Sequence, residues 1–222
     1  MKNTRLLYCV ATLMVVGCVH HSPLTTDWIA AALHEQDSVL ADPLLEEIVR
    51  DADRRRRQSN PSSGGVPVLP VGCEGFPLPG TGSPGLDWLF AQFRTRGGQT
   101  RETIGSYRPP WPWSHAVAQT AAPCVLRVEF SDRRDHSDPV SVANTLIHER
   151  VHSFGHAHAH GNKRSPNACD AAYVMGDAAE AILAHRRRLA DYDFDAPMCQ
   201  ALCDALNARG MPHGCRRERG LR

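Results

Sequence analysis

A chain of 222 residues with 42% hydrophobic side chains is long enough to bury a core of its own. Its 25 basic and 24 acidic residues leave a formal charge of +1, which argues against a nucleic-acid binder, and no glycine-rich nucleotide loop or internal repeat occurs. Eight cysteines and 12 histidines direct attention to disulfide and metal chemistry instead.

In chain order, Lys2 and Arg5 precede an apolar run from Leu6 to Val16 that is too short to span a bilayer. Residues 1–17 therefore have the make-up of a secretory signal peptide. Val15-Val16-Gly17-Cys18 resembles the lipobox of bacterial lipoproteins. That resemblance implies a lipid on Cys18, hence membrane attachment, and no aspartate follows Cys18 to retain the protein at the inner membrane. The implied location is the bacterial cell envelope, at the outer membrane facing the periplasm. An ordinary cleaved signal, with Cys18 unmodified, fits the same residues. Past the leader six cysteines remain, Cys73, Cys124, Cys169, Cys199, Cys203 and Cys215, an even number that suits disulfides in an oxidising compartment. Their pairing is not readable from spacing. Cys199 and Cys203, four apart, are read as structural; the other use of such a pair is to cap a second metal.

Residues 27 to 57 carry Trp28, Ile29, Ala32, Leu33 and then Leu44, Leu45, Ile48, Val49 at helical spacings, with a break near Asp42-Pro43. Arg54 to Arg57 close this segment as a solvated, dipole-matched end. Residues 18–58 are thus read as an N-terminal helical segment and residues 59–65 as a flexible linker. Residues 66–222 form the main domain, starting with a Pro/Gly-rich loop to about Gly85. Pro109-Pro110-Trp111-Pro112-Trp113 offers rings for a cleft or a core edge. Leu126, Val128 and Phe130 alternate on one side of a strand over 125–130. A helix follows from about 139 to 154: Asp138 suits the N-cap, Pro139 the first position, and Val142, Ala143, Leu146, Ile147, Val151 and Phe154 recur at three and four. Two further helices are predicted over 178–189 and 198–206.

The end of the 139–154 helix carries the chemistry. His148 and His152, four apart, share one helical face, so both imidazoles can meet one metal ion. Glu149 points beside that face, where a carboxylate can take a proton from a metal-bound water. Gly155 supplies the left-handed turn that ends the helix and lets the chain return with His158 as third ligand. Three ligands and one open position make the catalytic pattern of zinc rather than the closed structural one.

The string His148-Glu149-x-x-His152-x-x-Gly155-x-x-His158 resembles the zinc signature of the metzincin metallopeptidases at every fixed position. The resemblance implies an α+β, zincin-like fold with a small sheet and an active-site helix, and Zn2+ on His148, His152 and His158 with Glu149 as base. It further implies that the strand before the helix borders the cleft and pairs with an extended peptide. Met175, followed by Gly176, offers the methionine turn that metzincins place beneath the metal. The same stretch holds Asp170-x-x-Tyr173, which looks like the Asp-x-x-Tyr element of the aspzincins. There the resemblance implies an aspartate ligand and a tyrosine that steadies the oxyanion, so Asp170 stands as an alternative ligand or a partner of one, and Tyr173 as catalytic. In an extended run His156, His158 and His160 would share one side, a metal-capturing surface, but the favoured reading is a solvated loop in which only His158 is fixed. The expected function is a zinc metallopeptidase acting on peptide or protein; a non-catalytic zinc-binding lipoprotein and a peptidoglycan amidase are the alternatives.

Overall fold

A computed structural model describes residues 27–61, 64–68, 85–107, 118–120, 124–132, 136–161, 163–194 and 197–215. The leader, the lipobox, Cys73 and the Pro/Trp run at 109–113 lie outside the described residues. Within them the chain is α+β. The helices are α1 (Asp27–Leu40), α2 (Pro43–Ser59), α3 (Leu86–Arg96), α4 (Pro139–Ser153), α5 (Arg164–Asn167), α6 (Ala171–Arg186) and α7 (Gln200–Asn207). The strands β1 (Ile104–Tyr107), β2 (Ala118–Thr120) and β3 (Val128–Ser131) form one sheet in the order β1-β3-β2, with β1 parallel and β2 antiparallel to β3. None of the described helices is long and apolar enough to cross a membrane.

Helix α4 organises the molecule because it has three differently used faces. Val140, Ala143, Ile147 and Val151 enter the main core with residues of α2, α3, α6 and α7. Val142 and Leu146 pack instead with Val128, Phe130 and Ala32 in a smaller core between α4, the sheet and α1. His148 and His152 occupy the remaining face. At its start, Asp138 caps the helix by accepting from the Val140 and Ser141 amides at 3.0 and 3.3 Å, and Pro139 occupies the first turn as expected.

The linker expected at 59–65 does not divide two cores. Leu45, Ile48, Val49 and Ala52 of α2 join the same cluster as Val66, Val68 and α6. The apolar face of the 27–59 region is thus consumed by the domain that follows it. The break at Asp42-Pro43 is real, since Asp42 caps α2 through the Leu44 amide at 2.8 Å.

Two expectations require correction. The strand is shorter than 125–130 and lies in the middle of its sheet: β3 pairs on both sides, so its edge is closed to a peptide, and Val125 and Leu126 precede it as exposed residues. Among the described residues the antiparallel edge is β2. Nor does Met175 lie in a turn. The helix predicted from 178 begins earlier, at Ala171, and α6 runs unbroken through Met175 and Gly176. Gly176 serves packing: a Cβ there would meet the Asn144 side-chain oxygen at 2.2 Å and its backbone oxygen at 3.0 Å, so the glycine lets α6 approach α4.

Candidate metal centre

The local chain path follows from the last turn of α4. Gly155 has φ 90°, a conformation glycine adopts without the usual Cβ penalty, and its amide donates to the His152 carbonyl at 2.8 Å. His156 then turns inward and is fully buried, while His160 is exposed. The segment turns rather than extends, so the three histidines do not share one side, and the solvated loop expected here fails at His156, which is buried. Asn167, fully buried, shapes the following loop by accepting from the His160 amide at 2.9 Å and donating to the carbonyls of Gly161 and Lys163 at 2.6 and 2.8 Å. The loop returns His158 to the helix.

His148, His152 and His158 meet there through their Nε2 atoms. The His152 Nε2 lies 3.1 Å from each of the other two. The outer nitrogens decide which protons are present. Nδ1 of His152 sits 2.8 Å from the His156 carbonyl, which only accepts, so the proton is on Nδ1 and Nε2 of the neutral ring is a lone pair. Nδ1 of His158 faces the Asp170 carboxylate at 3.3 Å, so a neutral His158 also turns a lone pair inward. Burial, reinforced by the neighbouring His152 and His158, holds His148 well below the usual histidine range, and burial takes His152 down to about 4. Facing lone pairs at such distances repel unless a cation lies between them. Metal–nitrogen bonds of about 2.0–2.1 Å in tetrahedral geometry put ligand atoms roughly 3.3 Å apart, close to the separation seen. The group is able to hold a metal ion.

Asp170 belongs behind this group rather than in it. It stands at the N-cap of α6, yet its carboxylate makes no cap hydrogen bond and instead accepts from His158 Nδ1 and from the Ala159 amide at 3.2 Å. A carboxylate on the far nitrogen fixes ring orientation and raises ligand basicity. Directly before it, Cys169 is bridged to Cys199, which ties the start of α6 to the start of α7. Cys203 is bridged to Cys215, and Cys124 is disulfide-bonded as well. The idea of Cys199 and Cys203 as a metal pair is thereby replaced by two disulfides.

Tyr173 packs directly on the histidines, stacked on His158 with ring centroids 4.9 Å apart and edge-on to His148 at 4.4 Å. Burial raises its hydroxyl pKa, and the Arg164 charge opposes that rise. Glu149 is buried, 7% exposed, and close enough for its charge to act on the Tyr173 hydroxyl.

Several contributors escape a reading of spacing alone. Arg150, inside the motif, is buried and donates to the carbonyls of Arg96 and Gly97 at 3.0 and 2.9 Å, fastening the ligand helix to the end of α3. Burial, with Arg96 nearby, lowers its pKa to about 10. Arg164 lies over the Tyr173 ring. The Cys124 amide donates to the His152 carbonyl at 3.2 Å, which sets the segment before β3 beside the ligand helix.

No protein-family model matches the chain, and no curated protein or solved structure is significantly similar to it.

Proposed function

We propose that the protein is a zinc-dependent hydrolase, a metallopeptidase of zincin type with the metzincin-like string as its catalytic core. The observation that carries this reading is the convergence of three imidazole nitrogens, with the outer nitrogens of His152 and His158 engaged, beside a buried glutamate that follows the first of them. Three neutral imidazoles suit zinc and leave a coordination position open, whereas structural sites use four protein ligands. Among the described residues that group has no fourth member.

Bound zinc supplies Lewis acidity that brings the pKa of a water molecule toward neutrality. Glu149 accepts the proton of the attacking water and delivers it to the departing amine. Tyr173 donates a hydrogen bond to the carbonyl oxygen as negative charge develops on it. Asp170 keeps His158 in the tautomer that binds metal. The signal-like N-terminus, the Cys18 motif and the disulfides support an exported, lipid-anchored enzyme acting in the envelope.

A peptide library and peptidoglycan fragments, digested by wild type and by Glu149→Gln, test the reading. The variant is expected to keep its metal and its melting temperature and to lose about 10³-fold in rate, since an amide cannot take the proton. Cleavage confined to peptidoglycan amide bonds would make the enzyme an amidase. A zinc-loaded wild type that cleaves neither substrate class would replace catalysis by metal binding.

A further inference from the structure

Between α4 and α6 a line of polar side chains leads away from the metal centre. Asn144 lies one turn before His148 on α4, and Asp177 one turn after Tyr173 on α6. The Asn144 side-chain amide donates to Asp177 Oδ1 at 3.3 Å and to Glu180 Oε2 at 2.7 Å. Asp177, its side chain 1% exposed, accepts from Arg164 Nη2 through both oxygens at 2.8 and 3.0 Å. Arg164 Nε donates to the Pro197 carbonyl at 3.2 Å. The guanidinium carbon then lies 4.9 Å from the centre of the Tyr173 ring, a cation–π distance. A buried ion pair seldom stabilises more than apolar packing would, so its use here is better understood as fixing a geometry.

We propose that Arg164 is a positioning residue: it holds the Tyr173 ring in place against His148 and His158, and Asp177, fixed by Asn144 of the ligand helix, holds Arg164. The catalytic part rests on the reading of Tyr173 as oxyanion donor; the placement of the ring does not. A guanidinium clamped at two oxygens and a carbonyl has one orientation, and the ring beneath it inherits that order. The same contact aligns α6 with α4 at the level of the metal ligands, because Asn144 and His148 sit on one stripe.

The test uses the zinc-loaded protein labelled with 3-fluorotyrosine, with the Tyr173 resonance identified by its loss in Tyr173→Phe. Arg164→Met and Asp177→Asn are expected to shift and broaden that resonance and to leave Tyr107 unmoved. Arg164→Lys, which keeps a cation over the ring, is expected to stay nearer to wild type. In hydrolysis, Arg164→Met should lower kcat by about the factor that Tyr173→Phe does, on the order of 10²-fold, with KM and zinc content unchanged. Tyr173→Phe combined with Arg164→Met should be no slower than Tyr173→Phe alone. Losses that multiply in the double variant, or a Tyr173 resonance indifferent to both Arg164→Met and Asp177→Asn, would overturn the proposal. A wild type that hydrolyses nothing would remove the functional reading, while the fluorine spectra still decide what places the ring. Should Arg164→Met fail to fold, Asp177→Asn carries both measurements.

Discussion

Two clusters of polar side chains sit in this helical body and are built on opposite rules. Around Asp51, between α2 and α7, donors meet an acceptor: Arg54 and Arg209 reach its oxygens at 2.7 and 2.8 Å and Arg55 at 3.2 Å. Around His152, acceptors meet acceptors, because the protons of the ring nitrogens are engaged outward, toward the His156 carbonyl and Asp170. The first cluster meets its one negative charge with positive donors that the protein itself supplies. The second turns the lone pairs of His152 and His158 toward one point, an arrangement able to hold a cation from outside. Polarity alone does not mark a site; the direction of the unshared electrons does.

Metal binding offers the hardest test of this contrast. His158→Ala removes one converging nitrogen and is expected to weaken zinc by far more than 10²-fold, whereas Asp170→Ala removes only an orienting contact, worth about 10–100-fold. Competition titration against a chromophoric chelator measures both. If Asp170→Ala abolishes binding and His158→Ala spares it, the aspartate is the ligand and the lone-pair argument fails at its third member.

The sequence makes the inner part of that site legible and its frame only partly so. Spacing picks out His148, His152 and His158 because one helix and one glycine turn place them locally, whereas Tyr173 enters only through the aspzincin resemblance. Arg164, Asp177 and Asn144 escape because their meaning lies in which helices face each other. A trace was present, with Asn144 four before His148 and Asp177 four after Tyr173. In the fold, α3 is not among the predicted helices, although Gly85 and Gly97 bracket Leu86, Leu89, Phe90 and Phe93 at helical spacing. The Pro/Gly-rich stretch before it hid that periodicity. The metzincin resemblance and a turn-forming glycine suggest a turn at Met175-Gly176; Gly176 is instead the contact point between two helices, which no local rule reveals.

Gly176 sharpens the comparison from the packing side. Alanine is the better helix former by about 1 kcal/mol, so a loosely packed α6 would gain stability from Gly176→Ala. Overpacking costs about 1–3 kcal/mol, and the Asn144 side chain would also have to leave the buried carboxylates of Asp177 and Glu180. The expected outcome is a melting temperature lower by a few degrees, together with weaker zinc binding, because the ligand helix is displaced. A higher melting temperature would mean that the α4–α6 spacing is soft and the line from Asn144 to Tyr173 imposes little.

The Asp51 cluster has a distinct signature in pH. Burial alone would raise this carboxyl, but the hydrogen bonds from Arg209, Arg54 and Arg55 outweigh it and bring the pKa from 3.8 to about 2. A carboxyl depressed on folding contributes stability that is complete above its unfolded pKa, 3.8, and is lost as pH falls toward about 2. The shift corresponds to about 2 kcal/mol. Comparing urea unfolding of wild type and Asp51→Asn at a series of pH values isolates it from the other carboxylates, which titrate alike in both proteins. The gap between the two should be widest at pH 5 and above, narrow through pH 3, and shrink by about 2 kcal/mol near pH 2. A gap that does not change with pH would show that Asp51 works by shape and neutral hydrogen bonds. The cluster would then be no counterpart to the histidines, since it would not rest on a negative charge met by the protein's own cations.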